Sequence, residues 1–233
     1  RDSRRVHLKP MPKLGGIAVI AGFVVSMIYL LITLSIKNSN KINLFGPEEY
    51  AFKLIGVFIG IIILGITCII DDIKNIKPIT KFIGQILAAS VVVGFGLRIG
   101  NIDLPFLQTQ EMNEAASIIL TIFWIVGITN AINLMDGLDG LSSGISLISC
   151  ISLLMIFALN GSPLIAILMI TALAGALTGF IPYNFNPAKT FIGDTGSNFL
   201  GFILSIVSIL GVAKTYTAIV IVLPVIVLGL PIM

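Results

Sequence analysis

Long apolar runs alternate along the chain with short polar islands. The runs fall at about 17–36, 51–70, 82–97, 115–132, 143–160, 164–181, 197–212 and 216–230. Most approach the roughly 20 residues that a helix needs to cross a bilayer. Ile59–Ile70 is almost continuously apolar. An outer-membrane barrel would instead alternate apolar and polar positions along each strand. The run at 82–97 is short and holds Gln85, Gly94 and Gly96. It can extend back through Lys81, whose aliphatic stem can lie in lipid while its ammonium reaches water. Backbone inside lipid must satisfy its own hydrogen bonds, so these spans are predicted to be helices. The pattern predicts an all-α, polytopic transmembrane bundle of about eight spans, forming one membrane-embedded domain over 1–233.

Composition supports this. Hydrophobic residues make up 57% of the chain and charged residues 11%, against roughly 25% charge in soluble domains. The apolar surplus must face lipid. A net charge of +3 is weak evidence for a nucleic-acid partner, and the basic residues are not spread over one face, so none is expected. Cys68 and Cys150 lie inside apolar runs and read as small buried hydrophobes, not a disulfide. The one histidine, His7, leaves no cluster for zinc and reads as solvated. Trp124 and most of the phenylalanines are expected to pack or face lipid.

Charge also sets a direction. The first thirteen residues hold Arg1, Arg4, Arg5, Lys9 and Lys13, which places them in the cytoplasm. Counting crossings, the inner segments carry nine Lys or Arg and the outer segments with their margins five. The bias is modest and comes mostly from the N-terminus. Acidic residues give a sharper pattern. Asp71, Asp72, Asp136, Asp139 and Asp194 all fall on the predicted inner face, where one site could gather them. No removable signal peptide is evident. The chain stops at LGLPIM, at the end of a span, so a domain truncated at both ends is expected.

Three polar islands carry the candidate chemistry. Asp71 and Asp72 follow the apolar run IIILGITCII. Paired carboxylates at a membrane interface can bind a divalent cation or share a proton. As a plain helix end they would oppose the dipole. The second island, NAINLMDGLDGLSSG at 130–144, repeats Asn130, Asn133, Asp136 and Asp139 at intervals of three. If helical, these form a drifting polar stripe; Gly137 and Gly140 allow close approach or break the helix. A loop of turn formers would not need asparagines reaching toward the membrane core. In the third island, NPAKTFIGDTGSNFLG at 186–201, Asp194 is surrounded by Gly193, Thr195, Gly196 and Ser197. Exposed amides at a helix start can hold phosphate. Asp194 would repel phosphate unless a metal or proton intervenes. A helix start capped by Thr195 or Ser197 explains this island equally well. Lys74, Lys77, Lys81 and Lys189 are the nearby cations, with Lys81 and Gln85 the most suggestive pair. Pro10 and Pro12 before Gly15 and Gly16 make a stiff approach to the first span.

Carboxylates beside small-residue backbone suit Mg²⁺-assisted phosphoryl chemistry, with one carboxylate orienting or deprotonating the attacking group. A cation-coupled transporter is the alternative of another class, but it should place ionisable groups near the bilayer midplane. A structural scaffold gives no reason for three polar islands on one side.

RRVHLKPMPKLGG at 4–16, DDIKNIKPITKFIGQ at 71–85, NAINLMDGLDGL at 130–141 and FIGDTGSNFLG at 191–201 together resemble the polyprenyl-phosphate N-acetylhexosamine-1-phosphate transferases, glycosyltransferase family 4. The resemblance covers nearly the whole chain. It implies a bacterial cytoplasmic-membrane enzyme, multi-pass, with its active site facing the cytoplasm. Such an enzyme moves a sugar-1-phosphate from a UDP-sugar to undecaprenyl phosphate, releases UMP and uses Mg²⁺, or Mn²⁺ in its place. This is the first membrane step of a cell-wall or surface polymer. The resemblance implies catalytic roles for Asp71, Asp72, Asp136 and Asp139, and a metal site at Asp194 with Asp72. It implies substrate contacts at Lys81, Asn133, Gly193, Thr195 and Gly196, and allows a homodimer. The short 71–82 connection resembles the N-acetylglucosamine branch; phospho-N-acetylmuramoyl-pentapeptide transferase is the alternative. Family members also carry a helix before the RRVH segment and a histidine-rich loop after the last span, and neither has a counterpart in this chain.

Overall fold

The computed structural model describes residues 15–37, 48–100 and 113–212. These form seven helices: α1 (Gly15–Lys37), α2 (Glu48–Lys74), α3 (Pro78–Gly94), α4 (Glu114–Leu134), α5 (Leu141–Asn160), α6 (Leu164–Asn184) and α7 (Gly193–Val212). Each matches one predicted span. The eighth, at 216–230, lies outside the described residues. Six helices are long and apolar enough to cross a membrane, and α3 is shorter. The chain is a polytopic transmembrane bundle. Its outer surface is aliphatic and aromatic: Ile28, Tyr29, Ile66, Phe123, Ile148 and Leu159 are all exposed, as lipid-facing positions should be.

Two helix boundaries differ from the hydropathy pattern, both at the polar end. The apolar run ends at Ile70, but α2 continues to Lys74. Asp71 and Asp72 therefore lie in its last turns, not beyond it. The helix closes through the Asn75 amide, which donates to the Asp71 carbonyl at 2.8 Å with Asn75 in the left-handed region, φ 49°. This is a familiar way for a helix to stop. α3 then starts at Pro78, where the missing N–H costs nothing. Lys81 thus falls in its first turn.

The centre of the bundle is α7. It packs against α1, α2, α4, α5 and α6, and 94% of its spanning window is buried, against 28% for α1. Yet α7 is the least apolar of the six candidate spans. In lipid this is the expected arrangement. Helices do not associate by escaping water, so small and polar residues mark the interfaces. A Cβ added to Gly16 would lie 2.3 Å from the Gly196 amide nitrogen, and one on Gly201 would lie 2.6 Å from the Thr129 Cα. These glycines let α1 and α4 approach α7 backbone to backbone. Phe23 meets Phe199 edge to face at 5.4 Å. Trp124, half-buried, donates from Nε1 to Ser208 Oγ at 3.0 Å, so it ties α4 to α7. Cys68 and Cys150 are free and buried, as expected.

Candidate active site

Asp71 and Asp72 are neighbours on α2, about 100° apart around its axis, and they turn to different partners. Asp71 is buried. Its Oδ1 accepts the Ile76 amide at 3.0 Å, which fastens the α2–α3 turn, and its Oδ2 lies 3.4 Å from Lys81 Nζ. Asp72 reaches the start of α7. It accepts the Thr195 hydroxyl at 2.6 Å, the Thr195 amide at 3.1 Å and the Asp194 amide at 3.4 Å. A carboxylate here satisfies amides that lack intrahelical partners and meets the positive end of the helix dipole. The cap of α7 thus comes from another helix. The local cap expected from Thr195 or Ser197 is not formed: Thr195 Oγ1 donates to Asp72, and Ser197 Oγ donates to the Gly193 carbonyl at 3.0 Å. Gly193 opens the helix with φ 68°, which a residue with a Cβ rarely adopts.

Lys81 stands among the acidic groups. Its ammonium has three acceptors: Asp194 Oδ1 at 3.0 Å, Asn133 Oδ1 at 3.2 Å and Asp71 Oδ2 at 3.4 Å. Three N–H bonds match three acceptors. Asn133 completes the group by donating from Nδ2 to Asp194 Oδ1 at 2.7 Å and to Ser197 Oγ at 2.8 Å. Four helices (α2, α3, α4 and α7) therefore converge on one ammonium. The Asp194 side chain is 39% exposed, against 11% for Asp71, so Asp194 is the more open of Lys81's two carboxylates. Lys74, Lys77 and Lys189 are exposed at the same end.

The drifting stripe of the second island is only half helical. Asn130 and Asn133 lie on α4, while Asp136 and Asp139 follow its end at Leu134. Asp136 Oδ1 accepts the Ser142 hydroxyl at 2.7 Å. Asp139 Oδ2 accepts the Ala188 amide at 3.1 Å and Asn186 Nδ2 at 3.2 Å. Ser143 donates to Asn184 Oδ1 at 2.7 Å, and Asn184 donates to the Thr190 carbonyl at 3.0 Å. The α4–α5 loop is thereby fastened to the α6–α7 loop. A side chain at Gly196 would meet Ile192 at 2.4 Å and the Gly16 Cα at 2.6 Å, so this glycine provides close contact with α1. His7 lies outside the described residues.

Sequence reasoning missed Asn184, Asn186 and Asn198. Asn198 carried a signal, since it follows Asp194 by four residues and so shares its helix face. It is fully buried and donates to the Asp194 carbonyl at 2.7 Å.

The donors at the site are hard oxygens. Among the described residues, no three His, Cys, Asp or Glu side chains form a ready-made metal cage. Mg²⁺ is commonly held by one or two carboxylates, with substrate phosphates supplying further oxygens. The accessible Asp194, with Asp72 against the adjoining amides, fits that pattern. The donor set does not suit a thiolate- or imidazole-bound metal.

Residues 54–212 match the model of glycosyl transferase family 4. The chain is 39% identical over 231 residues to the probable undecaprenyl-phosphate N-acetylglucosaminyl 1-phosphate transferase of Bacillus subtilis, covering 99% of this chain and 60% of that protein. It is 35% identical to a decaprenyl-phosphate N-acetylglucosaminephosphotransferase of Mycobacterium tuberculosis, with 88% of this chain and 51% of that protein covered. A phospho-N-acetylmuramoyl-pentapeptide-transferase of Staphylococcus epidermidis is 34% identical, with 88% and 64% covered. The chain therefore spans between about half and two thirds of the length of these relatives. A family match across most of the described helices, together with carboxylates, an ammonium and amides brought to one end of the bundle, establishes that the chain belongs to glycosyl transferase family 4.

Proposed function

We propose that this protein transfers N-acetylglucosamine-1-phosphate from UDP-N-acetylglucosamine to undecaprenyl phosphate, releasing UMP, with Mg²⁺ as cofactor and its site open to the cytoplasm. The observation that carries this reading is the convergence of Asp71, Asn133 and Asp194 on Lys81 beside the Asp72-capped start of α7. An oxygen of the lipid phosphate attacks the phosphorus that bears the sugar. The bond from that phosphorus to the bridging oxygen breaks, and UMP leaves with the electron pair. Little covalent work falls to the protein in such a transfer; positioning and charge compensation dominate. Asp194 and Asp72 would hold Mg²⁺, which offsets the diphosphate charge and polarises the bond that breaks.

In this reading Lys81 exchanges part of its contact with Asp194 for phosphate oxygens, as a mobile point charge. Asp71 keeps the ammonium in reach, and Asn133 fixes the Asp194 carboxylate. Gly193, Thr195 and Gly196 contribute the backbone at the start of α7. Asp136 and Asp139 take their catalytic part from the α4–α5 loop, next to the nucleotide. The named activity of the Bacillus subtilis relative supports the choice of sugar. The staphylococcal relative supports a second reading, in which the donor is UDP-N-acetylmuramoyl-pentapeptide.

The test incubates membranes holding the full-length protein with undecaprenyl phosphate, Mg²⁺ and each UDP-sugar in turn. UMP and a lipid-linked product with UDP-N-acetylglucosamine alone are expected. Turnover only with the pentapeptide donor replaces this reading by the second one. Solute uptake without lipid-linked product would favour a cation-coupled carrier and overturn both.

A further inference from the structure

One helical turn below the Lys81 cluster lies a second, uncharged layer. Gln85 follows Lys81 by four residues on α3, Asn198 follows Asp194 by four on α7, and Asn130 precedes Asn133 by three on α4. Lys81, Asp194 and Asn133 thus each have an amide one turn deeper on their own helix. The amides bond to one another. Gln85 Nε2 donates to Asn198 Oδ1 at 2.7 Å and to Asn130 Oδ1 at 3.3 Å. Asn130 Nδ2 donates back to Gln85 Oε1 at 2.7 Å and also to the Val126 carbonyl at 2.8 Å. Asn198 Nδ2 donates to the Asp194 carbonyl at 2.7 Å. Gln85 and Asn198 are 2% and 0% exposed.

We propose that Gln85, Asn130 and Asn198 are positioning residues that set the distance between Lys81 and Asp194, and so the geometry of transfer. The proposal rests on the functional reading above. Three observations carry it. First, amides are costly inside a membrane bundle unless paired, and two leucines and an alanine would fill such space without that cost. Second, the pairing is directional. Gln85 uses its amide nitrogen as donor and its oxygen as acceptor, so the amide orientations are fixed together. Third, the layer ends on the backbone of Asp194 itself. α3 packs against α2 and α4, and Lys81 and Gln85 are the side chains by which it hydrogen-bonds and pairs with α7. A shift in the lower layer therefore moves Asp194 relative to Lys81. Geometry errors of an ångström at a reacting centre cost about a hundredfold in rate.

The competing explanation is an interhelical clamp that only stabilises the bundle. The test separates the two with the full-length protein. Gln85→Leu alone leaves Asn130 Oδ1 and Asn198 Oδ1 without their donor, so thermal midpoint and turnover should both fall. The triple variant Gln85→Leu, Asn130→Leu, Asn198→Leu removes donors and acceptors together, which recovers much of the midpoint. Its kcat should still be down by about tenfold or more, with KM for the UDP-sugar within about threefold of the parent. A triple variant that is stable and turns over at the parental kcat overturns the proposal and leaves the clamp. The isosteric Asn198→Asp keeps the acceptor for Gln85 and sets a carboxylate oxygen against the Asp194 carbonyl. The donor to the Asp194 carbonyl is lost at unchanged volume, so kcat should fall by about tenfold or more; an unchanged kcat counts against positioning.

A readout without substrate completes the test. Lys81→Met and Asp194→Asn are combined in a thermal double-mutant cycle, in the parent and in the Asn198→Asp background at neutral pH. The non-additive part of the midpoint shift should shrink to less than about half in that background. Undiminished coupling overturns the proposal. Should the parent make no lipid-linked product at all, the functional reading fails while the cycle still decides on the layer.

Discussion

Two groups of aspartates sit at the polar end of the bundle and are built differently. Asp71, Asp72 and Asp194 project from helices. Apart from the Ile76 amide that fastens Asp71 to the α2–α3 turn, the partners described above lie on other helices, and one ammonium, Lys81, compensates two of them. Asp136 and Asp139 project from the loop after α4. Bonds from a serine hydroxyl, an asparagine amide and a backbone amide tie them to the neighbouring loop and to the start of α5. The first group is arranged around an ammonium and a helix start; the second also fastens loops. Five aspartates that look alike in the sequence therefore respond differently to the same substitution. Asp→Asn keeps the shape and removes the charge, so it should damage the contacts of the first group more than the loop-fastening bonds of the second.

The largest effect is expected at Asp194. Asp194→Asn removes the more open of the two carboxylates on Lys81 and, on the proposed reading, a cation ligand. Lipid-linked product should fall by at least about a hundredfold, while membrane insertion is retained. UMP release from purified membranes measures it. Asp72→Asn should be comparably inactive, with an added loss of stability, because an amide is a weaker partner for the amides of α7. Full activity in either variant would sink the site described here.

Next comes Lys81→Met. The methionine fills the same channel but leaves Asp71 and Asp194 facing each other without a cation. Breaking a buried ion pair costs about 3–5 kcal/mol, and the partial exposure of Asp194 moves this toward about 2 kcal/mol. Thermal unfolding should show the drop. Adding Asp194→Asn should return part of it, since the uncompensated charge is then gone. Activity should stay low in both, which separates the two quantities.

How far this division could be read beforehand depends on the kind of contact. Seven helices follow from apolar runs, because lipid leaves the backbone no other choice. The end of α2 did not follow. Hydropathy stops at Ile70, whereas the helix runs on to Lys74, carrying Asp72 to its partner on α7. The helical spacing of Lys81 with Gln85 and of Asn130 with Asn133 was visible. The bonds of Lys81 to Asn133 and to Asp194 were not, since periodicity says which residues share a face but not which faces meet. The Asp72 cap of α7 was hidden for the same reason: its donors lie 122 and 123 residues away. The loop fastening through Asn184 and Asn186 left a fainter trace, as turn formers without periodicity.

The division is sharpened at Asp139. Asp139→Asn keeps one carbonyl oxygen for the Ala188 amide and should lower transfer by about tenfold or less, whereas Asp139→Ala removes the acceptor and costs about 1–2 kcal/mol in stability. An Asp139→Asn variant as inactive as Asp194→Asn would break the comparison and place Asp139 with the charged group. Kinetics of UMP release alongside thermal midpoints decide it.

The smallest effect is expected at Thr195, where the charged group meets a neutral hydroxyl. Its Oγ1 makes the shortest of the three hydrogen bonds to Asp72, at 2.6 Å. Thr195→Val keeps the volume and the branching at Cβ, so α7 should pack as before. Asp72 loses one donor but keeps the amides of Thr195 and Asp194. A hydrogen bond to a charged acceptor is worth about 1.5–3 kcal/mol in isolation; with two amides still in place the loss should be near about 1 kcal/mol. Thr195→Ser retains the hydroxyl and should stay within about 0.5 kcal/mol of the parent. The informative quantity is the ratio of the two variants in transfer. If Asp72 acts only as the cap of α7, Val and Ser differ in midpoint and hardly in kcat. If Asp72 also takes part in the transfer, releasing it from the hydroxyl changes its orientation, and kcat should fall with Val alone. Equal kcat in the two would move Asp72 out of the reacting group and leave it the capping of α7 alone.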